Sequence, residues 1–207
     1  MVTGTFIVPI PSAPEGFSSV WVGIDGFTCP TPAILQTGIQ LNFITNTVSY
    51  NGWLIHLSQH SREMLIAIFL LAWYEWFPAD PIFFDNITIN SGDEVRLTVV
   101  ATSTTTGKVL IENLTNKQTV EDEASSNYPL CQENAEWIVE DVSLGSTLAS
   151  FNDFGTVIFT DAFALTADGK VFTPDGAIIS LIEQNNKTIT SVDEGPLTVT
   201  ISYNKTQ

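Results

Sequence analysis

Basic side chains are scarce in this sequence of 207 residues: 7 Lys and Arg stand against 23 Asp and Glu, which gives a net charge of −16. A chain this acidic is repelled by nucleic acid and by anionic lipid, so neither nucleic acid nor a membrane is expected as a partner. The charge also repels itself at neutral pH, and this repulsion falls as carboxylates take up protons near pH 4. The charge balance therefore suggests work at low pH.

Long apolar runs and cysteines are also few. The longest apolar run, Met64–Trp73, has ten residues, about half of what a helix needs to span a bilayer. The first 20 residues lack the charged start and the apolar centre of a signal peptide, so none is expected within this sequence. Two cysteines, Cys29 and Cys131, are too few for a disulfide scaffold and lack metal-ligand spacing. They form either one bridge or two buried thiols.

What is present is a succession of short strands. The apolar fraction of 44% and the aromatic fraction of 11% exclude a disordered chain, and the length suits one domain or at most two small ones. Alternating apolar and polar residues predict a hairpin over 94–111 and a strand over Leu197–Tyr203, and β-branched runs predict strands over Phe154–Thr160 and Ala177–Gln184. Short strands separated by turns predict an antiparallel sandwich or barrel.

One segment, Gly52–Leu71, breaks this pattern because its second half is a solid apolar run without alternation. Three interpretations compete. It is a helical insertion, which the helix-forming stretch Arg62–Leu71 favours, or it is a buried strand, or it does not belong to the natural protein.

The only two histidines, His56 and His60, both lie in this segment. Ser–His–Asp or Cys–His catalysis would have to recruit one of them, and no Gly-x-Ser-x-Gly elbow is present. Their spacing would place them on one face of a helix, but the His-Glu-x-x-His pattern of metallopeptidases is absent. No metal and no cofactor is expected.

Carboxylates and amides are left to carry chemistry, and two predicted strands place them on one face. In Ala33–Phe43, Gln36 shares a face with Gly38 and Gln40, and in Ala135–Asp141, Glu136 shares a face with Ile138 and Glu140. On the pattern alone, Gln36 and Glu136 are solvent-side residues of half-exposed strands.

The cysteines sharpen this interpretation. Gln36 follows Cys29 by seven residues and Glu136 follows Cys131 by five. A bridge would hold the two Cα atoms within about 7 Å, and two strands that leave this point in the same direction would carry Gln36 and Glu136 to similar heights on one sheet.

Five motifs make the sequence recognisable: VTGTFIVP at 2–9, WVGIDG at 21–26, AILQTG at 33–38, WYEW at 73–76 and NAEWIVED at 134–141. In this order they resemble the glutamic peptidases, or eqolisins, and the resemblance runs from Val2 to about Tyr203 outside 52–71. It implies one all-β domain over 1–207, an antiparallel β-sandwich of two packed sheets (concanavalin A-like), interrupted by the insertion. It also implies a secreted, acid-active endopeptidase that pepstatin does not inhibit.

The same resemblance assigns a catalytic dyad to Gln36 and Glu136. It places Trp21, Asp25, Trp73 and Glu75 around the substrate cleft, with substrate contact and a purely structural role equally open for each. Peptide hydrolysis needs a base that activates water and a donor for the oxyanion. A carboxylate with a pKa near or below 4 can act as that base in acid, where histidine is protonated, so Glu136 is expected to take a proton from water and pass it to the leaving amine while the Gln36 amide stabilises the oxyanion.

The sequence departs from the family in three places. Gln40 stands where the family has an acidic residue shortly after the catalytic Gln. Mature family members begin about a strand earlier than Met1, so an exposed sheet edge is expected. Third, the family continues directly from the stretch matching 48–51 to the one matching 72–76. We interpret the 20 intervening residues as translated intron, with a start codon assigned too late, and a genuine loop beside the active site as the alternative.

The expected partners are protein or peptide substrates, and the chain is expected to be a monomer outside the cell. Two other functions stay open. One is an inactive remnant of the same fold. The other is a carbohydrate-binding or carbohydrate-hydrolysing sandwich, because aromatic residues beside carboxylates, as in WYEW at 73–76, suit sugar stacking. Glycoside hydrolysis needs two carboxyl groups, whereas the motifs pair Glu with Gln.

Overall fold

The computed structural model describes residues 1–45, 49–50, 53–54, 66–144 and 147–204, and all regular elements in these ranges are strands. There are nineteen in the described residues: β1 (Val2–Ile7), β2 (Gly16–Ile24), β3 (Ile34–Thr45), β4 (Ser49–Tyr50), β5 (Trp53–Leu54), β6 (Ile66–Phe77), β7 (Ile82–Phe83), β8 (Glu94–Ala101), β9 (Thr106–Asn113), β10 (Gln118–Ser125), β11 (Ala135–Glu140), β12 (Ser143–Leu144), β13 (Thr147–Leu148), β14 (Thr156–Leu165), β15 (Val171–Phe172), β16 (Glu183–Gln184), β17 (Lys187–Thr188), β18 (Thr190–Gly195) and β19 (Thr198–Tyr203).

Two antiparallel sheets form the domain. The large sheet has the order β10-β9-β8-β1-β14-β19-β18, with β15 added to β14, and the small sheet has the order β11-β2-β3-β6-β7. They pack face to face, with β2 and β3 on β8, β6 on β10 and β11 on β14. The predicted antiparallel β-sandwich is confirmed.

Alternation along the strands builds the core between the sheets. In β3 the fully buried residues Leu35, Ile39 and Leu41 face the large sheet, and in β8 Val95, Leu97 and Val99 face back. Each such aliphatic side chain contributes about 1.5–3 kcal/mol by leaving water. This core fixes which side of β3 carries Gln36.

Most of the predicted strands are confirmed. The hairpin over 94–111 is β8 and β9 in antiparallel register, β14 contains residues 156–160 of the run predicted at 154–160, and β19 contains residues 198–203 of the C-terminal alternation. The run Ala177–Gln184 is the exception, since only Glu183–Gln184 forms a strand and 177–182 pairs with no strand of the described residues. Its β-branched sequence has β-propensity, but 178–181 has no strand partner in the described residues, and propensity alone does not make a sheet.

Part of the anomalous segment Gly52–Leu71 lies within the described residues. Residues 66–71 are the first half of β6 and pair with β3 from Thr45↔Ile66 to Gln40↔Leu71. The helical interpretation is therefore wrong for 66–71, where pairing with a long neighbouring strand overrides helix propensity. A strand is confirmed there, but the prediction that it is buried is wrong, since all six residues are half-buried or exposed. His56 and His60 lie outside the described residues.

The disulfide is formed. Cys29 and Cys131 are bonded with their Cα atoms 5.6 Å apart, so the alternative of two free thiols is wrong. Within the described residues an open edge is present, at β11, whose one strand partner is β2. Among the described residues we find no helix with the length and apolar character to cross a membrane.

Candidate active site

Four neighbouring strands of the small sheet bring the predicted catalytic residues into one row. Glu136 of β11 lies opposite Gly23 of β2, Gly23 lies opposite Gln36 of β3, and Gln36 lies opposite Glu75 of β6. Directly opposed residues of an antiparallel sheet point to the same face. Glu136 and Gln36 therefore project from the outer face of the small sheet, with Cα atoms about 10 Å apart, or two strand spacings.

The residue between them is glycine for a steric reason. A Cβ at Gly23 would lie 2.9 Å from Trp21 Cζ3 and 3.4 Å from Gln36 Cβ. Glycine at this position leaves room for the edge of the Trp21 indole, which lies where a Cβ would be. The Glu136 carboxyl and the Gln36 amide project on either side of Gly23 from the same face of the sheet.

The disulfide and Asp25 hold the two strands at this height. Asp25 is fully buried, and its carboxylate accepts backbone N–H bonds from Gln132 at 2.8 Å, Glu133 at 2.8 Å and Asn134 at 3.3 Å. These residues connect Cys131 to β11. Asp25 thus positions the strand that carries Glu136, and its oxygens are occupied by main chain.

One polar atom of the Gln36 side chain has a hydrogen-bond partner, and the other has none in the described residues. The side chain is buried, and its Nε2 donates to Glu75 Oε2. Its Oε1 is buried and has no hydrogen-bond partner in the described residues. A buried acceptor without a donor costs free energy, so Oε1 is available to accept a hydrogen bond from a donor such as water. The prediction of a solvent-side residue in a half-exposed strand is wrong for Gln36.

Burial raises the pKa values of the carboxyl groups on this face. For Glu136, burial and then the charge of Asp25 raise the pKa to about 7. For Glu75, burial raises the pKa to about 6, helped by the charges of Glu140 and Asp80, while the hydrogen bond from Gln36 acts in the opposite direction. A pKa near or below 4 was expected for Glu136 and is wrong for this state, because the partly buried carboxyl gains no compensating cation.

Two indoles form the next row of the face. Trp21 and Trp73 lie on either side of Gly38, whose Cβ would be 2.5 Å from the Val20 carbonyl oxygen. Both side chains are buried and anchored: Trp21 Nε1 donates to Glu140 Oε2 at 2.8 Å, and Trp73 Nε1 donates to Ser19 Oγ at 3.0 Å.

The sequence left two members of the site unassigned. Glu140 lies on the Glu136 face of β11 and bonds Trp21, and burial raises its pKa. The alternation over 136, 138 and 140 was the signal that could have added it. Gly23 gave no such signal, because its role follows from pairing with two strands at once. Gln40 lies two positions along β3 from Gly38 and donates from Nε2 to Asn42 Oδ1 at 2.8 Å.

Both the sequence and the fold match known proteins. The profile of the Peptidase A4 family matches residues 1–66 and 67–203. Aspergillopepsin-2 from Aspergillus niger is 40% identical over 191 residues, which are 91% of this chain and 60% of that protein.

Two solved structures share the fold. Scytalido-glutamic peptidase with a transition state analog inhibitor has a TM-score of 0.79 at 35% identity, covering 98% of this chain and 91% of that one. A complex of SCP-B, a member of the eqolisin family, with the tripeptide Ala-Ile-His has a TM-score of 0.76 at 34% identity, covering 98% and 90%. The chain belongs to the Peptidase A4 family, the eqolisins.

Proposed function

We propose that this chain is an acid-active endopeptidase that hydrolyses peptide bonds with Glu136 and Gln36. The observation that carries the proposal is the row Glu136–Gly23–Gln36, in which a carboxyl and an amide project from one face on either side of a glycine, and the amide oxygen has no hydrogen-bond partner in the described residues. Family membership supports it, as does the peptide bound to one relative. The glycoside-hydrolase alternative is weaker, because the group facing Glu136 across Gly23 is an amide.

Gln36 serves the reaction with both of its polar atoms. Its Oε1 accepts a hydrogen bond from the attacking water and fixes the position of the water oxygen. One N–H of Nε2 bonds Glu75, and the second is left to stabilise the negative charge that develops on the scissile carbonyl oxygen before the proton from Glu136 arrives. A single oxyanion donor is worth about 100- to 1000-fold in rate.

Glu136 handles the proton, and its pKa decides the order of steps. With a pKa of about 7, the carboxyl is protonated in acid. It donates this proton to the carbonyl oxygen as water attacks and takes a proton from the attacking water, which leaves a gem-diol. It then delivers that proton to the leaving amine, and as the C–N bond breaks it takes a proton back from one gem-diol hydroxyl, which becomes the carbonyl of the carboxylic acid product. The cycle consumes one water and returns Glu136 to its protonated form. This order replaces the expected one, in which an ionised Glu136 acts first as a base.

The net charge and the disulfide bear on the pH and the redox state of the medium in which the enzyme works. A net charge of −16 favours an acidic medium, and the Cys29–Cys131 bridge favours an oxidising, extracellular one. The dyad contains one carboxyl group, so pepstatin, which binds between two aspartates that share a proton, has no matching pair here.

The test is a casein assay at pH 3 to 4 in the presence of pepstatin. It compares the wild-type chain with Glu136→Gln and with the control Glu94→Gln, which lies at an exposed position of β8. We expect the wild type and the control to cleave casein and Glu136→Gln to lose at least 1000-fold, with all three folded by circular dichroism. Casein cleavage by folded Glu136→Gln at the wild-type rate would overturn the assignment. A folded wild type without activity would support the inactive remnant instead.

A further inference from the structure

Three motifs of the type Asn-x-Thr lie wholly within the described residues. They are Asn86-Ile-Thr88, Asn113-Leu-Thr115 and Asn186-Lys-Thr188, and a fourth, Asn204-Lys-Thr206, ends outside the described residues. In a chain that enters the secretory pathway, such a motif accepts an oligosaccharide on the amide nitrogen of its asparagine. The folded protein accommodates this bulky group only where the nitrogen faces solvent, so the structure separates the three motifs.

The Asn113 motif is closed to modification. Asn113 ends β9 and is buried, and its Nδ2 donates to the Thr88 carbonyl oxygen at 2.9 Å and to Asp93 Oδ2 at 2.7 Å. An amide nitrogen has two hydrogens, so both are used. Asn113 Oδ1 accepts from the backbone N–H groups of Thr115 at 3.1 Å and Asn116 at 3.2 Å. An oligosaccharide on Nδ2 would break one of these bonds and would have to occupy the buried position of its partner.

The Asn86 motif is open, and Asn113 holds it in place. Asn86 and Thr88 are exposed on the chain between β7 and β8, and the Asn86 side chain makes no hydrogen bond among the described residues. The Thr88 carbonyl oxygen accepts from Asn113 Nδ2 and from Asn116 Nδ2, each at 2.9 Å. The Thr88 backbone N–H donates to Gln118 Oε1 at 2.8 Å. These contacts fix the backbone two residues after Asn86 and leave its amide in solvent.

The Asn186 motif begins at the tip of a hairpin. β16 and β17 pair through Gln184↔Lys187, so Asn185 and Asn186 form a two-residue turn. Their φ angles are 51° and 60°, as a type I′ turn requires, and asparagine suits such a turn. Asn186 and Thr188 are exposed, and the Asn186 side chain makes no hydrogen bond among the described residues. A group on its nitrogen therefore displaces no contact that the turn needs.

We propose that Asn86 and Asn186 carry N-linked oligosaccharides and that Asn113 does not. The inference rests on the extracellular setting proposed above, because the transfer takes place on chains that enter the secretory pathway. In the transfer, the amide nitrogen bonds to the anomeric carbon of the first sugar, and the bond from that carbon to a polyprenyl diphosphate breaks. The nitrogen loses a proton as the lipid diphosphate leaves. Asn113, with the same motif, keeps its amide for the loop that presents Asn86.

The test expresses the full chain in yeast behind a secretory signal peptide, as the Glu136→Gln variant so that the protein does not digest itself. Endoglycosidase H trims each oligosaccharide to one N-acetylglucosamine, and mass spectrometry of chymotryptic peptides assigns this sugar to single asparagines. We expect it on Asn86 and on Asn186 in most molecules, with Asn113 bare, in protein that circular dichroism shows to be folded. The casein assay reports on the dyad and the peptide masses report on the sugars, so failure of the peptidase assignment and failure of this proposal are separate results.

Substitutions of the motif threonines separate the sites. Thr88→Ala and Thr188→Ala are each expected to remove one sugar and to leave the other in place, because neither changes an asparagine or a backbone contact. Thr88→Ser and Thr188→Ser keep the hydroxyl that the motif needs, so they are expected to retain the sugar. Thr115→Ala removes the third motif while it keeps the Asn113 amide, so it is expected to change no sugar.

Two results would overturn the proposal. Folded, secreted protein in which Asn86 or Asn186 is bare in most molecules would show that exposure in this fold does not select the modified motifs. A sugar on Asn113 in folded protein would show that the fold does not need its buried amide.

Discussion

The β3–β6 ladder has two halves that share one continuous register and differ in how deeply the residues of β6 are buried. At one end, Ile34–Ile39 pairs with Ala72–Phe77. Apart from Phe77, the β6 residues there are buried or half-buried, and they support the row of residues that contains Gln36. At the other end, Gln40–Thr45 pairs with 66–71, where Ile66 is 54% exposed and Ile68 is 38% exposed. The comparison teaches that backbone pairing alone does not build a site. The half that carries Gln36 adds packing of β6 on both faces.

The largest expected effect is on peptidase activity, which should depend strongly on one half of the ladder and little on the other. Gln36→Ala removes the oxyanion donor and the acceptor for water, so we expect kcat/KM to fall by about 1000-fold, or roughly 4 kcal/mol of transition-state stabilisation. Asn42→Ala, on the same face of β3 in the other half, is expected to change kcat/KM less than threefold. Peptide hydrolysis in acid measures both, and equal losses would remove the distinction between the halves.

The sandwich and most strands were predictable from the sequence because period-2 alternation reports which face of a strand is buried, as in Val95, Leu97 and Val99. The proposed dyad came from the resemblance of the sequence motifs to those of the glutamic peptidases. Two features did not follow. The raised pKa of Glu136 depends on burial and on Asp25, which is distant in sequence. The strand at 66–71 depends on pairing with β3, which outweighs local propensity.

Deleting 52–71 is expected to have the next largest effect. The deletion keeps Ala72 opposite Ile39 and places Val48, Ser49, Tyr50 and Asn51 in register with 43–40 of β3, leaving the four residues 44–47 as a hairpin loop. In this register Tyr50 shares the core face of Leu41, and the polar residues take the outer face. We propose that this shorter chain is the natural one.

We expect the shortened protein to be more soluble and to melt higher by about 5 °C, corresponding to roughly 1–2 kcal/mol, with full peptidase activity. Differential scanning calorimetry and the casein assay provide the measurement. A deletion variant that fails to fold would show that 52–71 is an integral part of the domain, and continuous coding transcript across codons 48–76 would support a genuine loop.

The stability of the fold should depend on pH through the carboxyl groups of Glu136 and Glu75. The pKa values of Glu136, about 7, and Glu75, about 6, are raised above the ordinary value of about 4.3 for an unfolded chain. The folded state therefore binds more protons than the unfolded state between about pH 4.5 and pH 7, and the free energy of unfolding decreases as the pH rises through this range.

We expect the wild-type melting temperature to be several degrees higher at pH 4.5 than at pH 7.5. Glu75→Gln should flatten this dependence, and Glu94→Gln on the exposed side of β8 should leave it unchanged. A melting temperature that rises toward pH 7.5 would contradict the raised pKa values.

The smallest effect is expected from the exposed half. Ile68→Thr replaces an apolar side chain at a surface position in a strand, so we expect a change in the free energy of unfolding within about 0.5 kcal/mol and no change in kcat/KM. Urea unfolding and the peptide assay measure the two quantities. A loss above 2 kcal/mol would show that this half is packed in solution.

The most direct test of the account is the pH dependence of kcat/KM on a peptide substrate in the presence of pepstatin, because kcat/KM reports the pKa values of the free enzyme. If protonated Glu136 starts the reaction, kcat/KM is high in acid and declines as the pH rises through about 7. A kcat/KM that is low in acid and rises to a plateau above pH 7, in a chain that circular dichroism shows to be folded throughout, would contradict it.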